Sequence, residues 1–468
     1  MADKKTNPSK ELKEKLFSKR KNGWLRITAE EKQTVADYCE GYKAFLNAAK
    51  TEREAVVNAM VLAKAHGYKE FDRNAKYSAG DKVYRVNRGK TVMFACIGSE
   101  DIADGVLISA AHIDSPRLDL KQHPFYEDSD IALLKTHYYG GIRKYQWPTV
   151  PLALHGSVLR ADGEVIDIKI GEDEGDPRFV VSDLLPHLAS EQNKRSLSEG
   201  INGEELNIIV GSCPFADDPE SELVKLNVLN VIYEKYGLTE DDFISAELEA
   251  VPAFAACDIG FDRSMIGSYG HDDRVCAYPS LTAILETEAP KKTVITVLAD
   301  KEETGSDGNT GLNSDCLRNF VWDLARCFGA DGWNVLENSE CLSADVNAAY
   351  DPTFSSAFES RNSSFVGYGV VVTKYTGARG KSGTSDASAE YTGKIRNLLD
   401  SKGVVWQTGE LGKVDIGGGG TVAKYIASMG VDVIDIGVPV LSMHSPFETV
   451  SKLDVWMTHR AIYEFFNR

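Results

Sequence analysis

The chain is short of cysteine, has no long apolar run, and its basic residues are outnumbered. Eight cysteines occur in 468 residues, at positions 39, 96, 213, 257, 276, 316, 327 and 341, and no two form a CxxC pair. A disulfide framework or a thiolate zinc site needs closely paired cysteines, so neither is expected, and the sparse thiols point to a reducing, cytoplasmic compartment. No stretch of about 18 apolar residues occurs, so no membrane span is expected. The opening MADKKTNPSKELKEKLFSKRKNGW mixes both charge signs without an apolar centre, so no signal peptide is expected either. Lys and Arg number 52 against 70 Asp and Glu, a formal net charge of −18. Nucleic acids and anionic membranes recruit basic surfaces, so neither is an expected partner. There is no internal repeat and no low-complexity tract beyond the glycines at 417–420. That run lacks the Lys-Ser/Thr of a phosphate loop, and tight turning before a helix at Val422 accounts for it better.

What remains is an ordinary globular composition, 43% hydrophobic and 26% charged, with chain enough for two or three domains. Apolar spacing of three and four predicts helix over residues 9–66, stopping at Gly67. Strands are predicted at 82–86, 91–97 and 105–111; the last, GVLISAAHIDSP, is a continuous apolar run of the kind buried on both faces. Residues 117–250 change texture: short alternating strands, a hairpin across Asp162-Gly163, an acidic loop stretch over 171–218, and short helices at 222–235 and 239–243. From Cys257 the α/β pattern returns, with a helix over 277–286, a buried strand over 293–299, a strand over 365–373, helices over 385–399 and 422–429, and the run VDVIDIGVPVLSMH. The expected fold is α/β, a mixed sheet flanked by helices, made of residues 1–116 and 251–468. Residues 117–250 form a β-rich domain inserted into it.

Five places set metal-competent side chains at strand ends or in adjoining loops, where open α/β sheets bind ligands. They are AHIDSP (His112, Asp114), GHDDRV (His271, Asp272, Asp273), DKEETG (Glu302, Glu303), SADVN (Asp345) and SMHSPFE (His444). Singly, each has a plain structural reading: a histidine after a strand is commonly just hydrogen-bonded, and adjacent acids commonly face solvent. Together they supply imidazoles and carboxylates, the ligands of hydrolytic zinc, with one acid to spare as a general base. That inventory matches a two-metal hydrolase. Cys276, on a predicted helix facing the sheet, reads as a small buried apolar group.

The motifs AHIDSPRLDLK, YGHDDRVCAY, VLADKEETGS, SADVNAAYDP and DIGVPVLSMHSPFE resemble, in order and over most of the chain, those of the aspartyl aminopeptidase family of dinuclear zinc aminopeptidases. The resemblance implies two zinc ions per chain, with cobalt or manganese as substitutes. His112 and Asp345 would hold one ion, Glu303 and His444 the other, and Asp272 would bridge them. Glu302 is then the general base, and Asp114 accepts the other N–H of His112. The choice of Asp272 over Asp273, and of Glu303 over Glu302 as ligand, comes from this motif match, since spacing does not decide it.

The substrates implied are peptides with a free N-terminus. The family name points to N-terminal Asp or Glu, for which Arg379 and Lys381 in YTGARGKSGTSD are the candidate cations, although a mobile surface loop is the plain reading of that segment. The stretch VNAAYDP departs from the histidines of eukaryotic members, so neutral residues stay open as substrates. His187, in DLLPHLAS, resembles the family histidine that reaches a neighbouring subunit's site; a hydrogen-bonded domain histidine is its alternative. The aromatic KTHYYGGIRKYQWP segment suggests an interface, and the family assembles from dimers into a dodecamer, so a homo-oligomer joined through the inserted domain is expected. A zinc carboxypeptidase or N-deacylase would use the same ligands, and a non-catalytic shell or cargo protein would keep the fold without need of Glu302.

Overall fold

The apolar run Leu107–His112 is buried along its whole length in the middle of a nine-stranded sheet. The computed structural model describes residues 8–217 and 219–468. Residues 1–7, the start of the N-terminal stretch read for a leader, and Asp218, the end of the acidic loop stretch, lie outside the described residues. Four central strands run parallel, in the order Val294–Ala299, Leu107–His112, Glu340–Ala344, Asp432–Gly437. Thr91–Cys96 and Val370–Thr373 flank them antiparallel, which makes the sheet mixed.

Alternation along the strands sends side chains to two different cores. Leu107 and Ala111 pack with Val275 and Leu281 of the helix His271–Glu286 and with Ile462 of the helix Lys452–Phe466. Ile108 and Ala110 face the other way, onto Leu317, Phe320 and Leu324 of the helix Cys316–Cys327. The fold is the mixed α/β architecture that the sequence leads one to expect. Because the central strands are parallel, the residues after His112, Ala299, Ala344 and Gly437 emerge at one edge of the sheet.

A seven-stranded sheet takes its strands from between Arg117 and Pro252, with its own buried cluster that includes Leu118, Trp147 and Leu248. It contains the antiparallel pair Leu152–Leu159 and Val165–Ile170, joined through Gly163 at φ +89. A five-stranded sheet pairs Met265–Ser268 with Glu448–Ser451, setting Ser268 opposite Glu448 just before the helix that carries Asp272.

Several predicted elements shift. The helical stretch 9–66 is three helices, Pro8–Leu16, Ala29–Ala48 and Glu52–Ala65. The last two each begin at a capping box, Thr28 with Glu31 and Thr51 with Glu54, in which side chains satisfy amides that a helix start leaves unpaired. The strand predicted over 365–373 narrows to Val370–Thr373 because Gly367 and Gly369 turn the chain, both amides donating to the buried Asp454 carboxylate at 2.7 and 2.6 Å. Segment 239–243 is a 3-10 turn, Glu240–Ser245, and the glycine run precedes a short helix, Ala423–Ala427. Among the described residues, no helix is long and apolar enough to cross a membrane.

The Thr51 hydroxyl accepts the Glu54 N–H at 3.2 Å and Glu54 accepts the Thr51 N–H at 3.1 Å. Thr51→Ala is expected to cost about 1 kcal/mol of stability, read as a lowered urea midpoint with peptidase activity at working temperature retained.

Candidate metal centre

His112 closes its strand with the ring almost wholly buried, and its Nδ1–H points at the Asp114 carbonyl, 3.0 Å away, and the Asp114 Oδ1, 3.3 Å away. Both partners accept only, so Nδ1 carries the proton and the Nε2 lone pair is left facing the strand-end space. The Asp114 carboxylate does more than hold this ring. It accepts the backbone N–H groups of Glu302 and Glu303, each at 3.2 Å, and the Tyr139 hydroxyl at 2.8 Å. One buried acid therefore fixes the His112 ring and the Glu302–Thr304 turn together.

Asp272 and Asp273 sit at the start of the helix His271–Glu286 with non-helical backbone angles, and the peptide between them is cis. Asp272 Oδ1 lies 3.0 Å from His112 Nε2, and Oδ2 lies 3.1 Å from His444 Nε2. The other ring nitrogen of His444 donates to the Gly141 carbonyl at 2.9 Å, so Nε2 again keeps its lone pair. Glu303 comes within 3.6 Å of His444 Nε2, while Glu302 and Asp345 come within 3.8 and 3.9 Å of His112 Nε2. Ligand atoms gather in three overlapping sets: Asp272, Glu303 and His444; His112, Asp273 and Asp345; and His112, Glu302 and Glu303.

The electrostatics are those of crowded anions. Burial, and then the neighbouring Asp272 and Asp114 charges, push Glu302 up to about 7, although His112 opposes the shift. Glu303, Asp345 and Asp273 are also pushed well above the usual carboxylate range, first by burial and then by neighbouring acids. Burial acts on Asp272 in the same direction, but the two imidazoles that face it, His112 and His444, outweigh burial and hold this carboxyl low. Asp272 Oδ1, Asp273 Oδ1 and Glu303 Oε1 are buried without a hydrogen-bond donor. Buried anionic oxygens without donors are costly, and divalent cations are the partners that this set of donor atoms fits.

The structure thus brings His112, Asp114, Asp272, Glu302, Glu303, Asp345 and His444 together. His271 does not join them, although its motif placed it among the metal-competent residues. Its Nε2 donates to the Ile266 carbonyl at 3.2 Å, its Nδ1 accepts the Tyr42 hydroxyl at 2.7 Å, and burial pushes it down to about 3. His187 is exposed on the loop after Val180–Val181, and among the described contacts nothing joins it to the cluster. Arg379 and Lys381 lie on an exposed loop, where Lys381 pairs with Asp386 at 2.8 Å and sits over the Tyr375 ring at 3.7 Å. Gly418, at φ +118, lets the glycine run press on this loop, since a Cβ there would lie 2.5 Å from the Ala378 Cα. Cys276 is fully buried, and burial raises its thiol far from the reactive range.

Glu448 was not singled out by the sequence. It is buried, and it accepts the Asp272 N–H at 3.1 Å and the His444 N–H at 2.7 Å. Burial and the Asp272 charge push it up to about 8. Its one signal was its place in the motif, four residues after His444.

A buried imidazole–carboxylate cluster at the C-terminal edge of a mixed α/β sheet defines the class as a metal-dependent hydrolase. Residues 45–466 match the family model of the aminopeptidase I zinc metalloproteases (M18). The chain is 48% identical over 460 residues to a probable M18 family aminopeptidase 1 of Clostridium acetobutylicum, covering 97% of this chain and 99% of that one. It is 45% identical over 448 residues to the corresponding Thermotoga maritima protein, covering 94% and 97%. The crystal structure of the Thermotoga maritima M18 aminopeptidase superposes with a TM-score of 0.93 at 43% identity, over 96% of this chain and all of that one. Aminopeptidase I from Clostridium acetobutylicum gives 0.91 at 45% identity, over 97% and 100%. The chain belongs to the M18 family and is a zinc metallo-aminopeptidase.

Asp114→Asn keeps the volume but replaces one acceptor oxygen with a donor that faces other donors. Zinc affinity is expected to fall about 10–100-fold, measured by competition with a chromophoric chelator.

Proposed function

We propose that this aminopeptidase holds two zinc ions per chain, with His112 and Asp345 on one, Glu303 and His444 on the other, and Asp272 shared between them. The observation that carries this reading is the span of Asp272, whose two oxygens lie 3.0 and 3.1 Å from two different imidazoles. The donorless oxygens of Asp272, Asp273 and Glu303 support it, because each needs a positive partner. Cobalt and manganese suit the same donor set. Asp273 faces His112 through a 3.3 Å contact from the His112 N–H and serves as a buried support behind the His112–Asp345 pair.

When bound, zinc supplies Lewis acidity to the scissile carbonyl and lowers the pKa of a water. Glu302 is the general base: it takes a proton from the attacking water and delivers it to the leaving amine. Its turn is held by Asp114, which fixes where its carboxylate can reach. The surplus of carboxylates attracts a free α-ammonium group, so the substrates are peptides with an unblocked N-terminus. Arg379 is the cation proposed to meet an acidic side chain, since Lys381 is engaged by Asp386 and Tyr375. A neutral N-terminal residue is the alternative substrate.

Residues 117–250 are proposed to form an inserted dimerisation unit, supported by the separate core of the seven-stranded sheet. Yeast aminopeptidase 1, at 20% identity and a TM-score of 0.74, has been solved as a dodecamer. We extend homo-oligomeric assembly to this chain, with His187 reaching a neighbouring copy's site. A cytoplasmic location accords with eight free cysteines.

Glu302→Gln is expected to retain its zinc and lose about 10²–10⁴-fold in kcat; metal analysis and turnover on the same sample check both halves. Across Asp-, Glu-, Leu- and Lys-peptides, free and N-acetylated, only the free peptides are expected to be cut. Cleavage of acetylated peptides would instead favour a deacylase or carboxypeptidase. A preference for Asp and Glu that Arg379→Gln abolishes would establish the acidic pocket, and a preference for Leu or Lys would remove it.

A further inference from the structure

The aromatic segment KTHYYGGIRKYQWP carries no part of the ligand set, yet three consecutive residues in it reach the metal centre. Tyr139 ends the strand Ile131–Tyr139 of the seven-stranded sheet and the two glycines follow it, whereas the proposed ligands stand at the edge of the nine-stranded one. The Tyr139 hydroxyl donates to Asp114 Oδ2 at 2.8 Å. Gly140, at φ +75, lies against Glu303, where a Cβ would come 3.0 Å from Oε2. The Gly141 carbonyl accepts the His444 Nδ1–H at 2.9 Å, and a Cβ on Gly141 would lie 3.2 Å from that nitrogen.

The Tyr139 ring is itself fixed. The Arg117 guanidinium lies 3.9 Å from its centroid and the Lys301 ammonium 5.5 Å. Arg117 is buried among Glu52, Glu249 and Asp119, at 3.3, 3.2 and 2.8 Å. An aromatic ring pinned over a buried cation has little freedom to swing its hydroxyl away from Asp114.

We propose that residues 139–141 are a positioning segment that sets both metal-binding histidines from the second sheet. Tyr139 acts through Asp114 on His112 and on the Glu302–Glu303 turn. Gly141 acts on His444 directly, because its carbonyl only accepts and so holds the proton on Nδ1 and the lone pair on Nε2. Gly140 leaves the room that Glu303 occupies. The two halves of the centre are thereby oriented by one short stretch of backbone, and both depend on how the second sheet seats against the first. The proposal rests on the two-zinc reading above.

The test uses the full chain with Tyr139→Phe and Gly141→Ala. Tyr139→Phe keeps the ring over Arg117 and removes only the hydroxyl; Gly141→Ala, where φ is not left-handed, crowds the His444 ring. Three quantities are read: zinc stoichiometry and affinity by chelator competition, the visible absorption of the cobalt-substituted protein, and the Tm of the metal-free protein. The parent is expected to bind two ions. Tyr139→Phe is expected to weaken the His112 ion most and Gly141→Ala the His444 ion most, each about 10–100-fold, with an altered cobalt spectrum and an unchanged metal-free Tm. Parental affinities and spectra in both variants would overturn the positioning role, as would a lowered metal-free Tm with a parental spectrum. A parent that binds fewer than two ions would overturn the two-zinc reading, and this is seen before either variant is made.

Discussion

Five carboxylates and two imidazoles share one buried space, and the cost of keeping that much negative charge out of water shapes everything around it. Isolated buried anions are expensive, and groups forced together in this way shift toward their neutral forms unless positive partners are supplied. Burial raises Glu302, Glu303, Asp273 and Asp345 together. Asp272 alone is held low, between two rings. Bound zinc would satisfy this charge, and hydrolytic chemistry is what a zinc centre provides.

The scaffold answers the charge with geometry. Parallel pairing of the four central strands delivers His112, Asp345 and the Glu302–Glu303 turn to one edge. The five-stranded sheet brings up Glu448, which ties the Asp272 and His444 backbones together. Asp114 gathers a ring nitrogen, two backbone amides and a hydroxyl on one carboxylate. The clustered imidazoles and carboxylates are thus supported by partners that belong to three sheets, and a change in how the sheets pack would be felt throughout the cluster.

Much of this was legible in the chain. The buried strands at 107–112 and 294–299 announce themselves as unbroken apolar runs, and the polar residues that end them mark the ligand edge. The five motifs carry the family resemblance, which the matched family model and relatives bear out. Other features were not legible. His271 stands beside Asp272 in the sequence and shares its motif, but the helix start turns it into the core, onto Tyr42 and the Ile266 carbonyl. Glu448 looks like any acid in a Ser-Pro-Phe-Glu turn until strand pairing sets it opposite Ser268. The helical stretch over 9–66 divides into three helices at places the spacing does not mark, because apolar spacing continues across Thr28 and Thr51, where capping boxes restart the backbone.

The sequence by itself determined the α/β class, the chemical inventory of imidazoles and carboxylates, and the family, because these depend on residue type, local period and motif order. Only the tertiary structure decided which histidine is structural, that Glu448 ties the Asp272 and His444 backbones together, and that the Tyr-Gly-Gly segment reaches the cluster at all. Those facts depend on hydrogen bonds beyond the reach of local spacing, such as Tyr139 at the end of one sheet's strand with Asp114 just past a strand of another, and Gly141 with His444 across some three hundred positions. Local spacing carries no record of such contacts; they exist once the strands have paired and the sheets have packed.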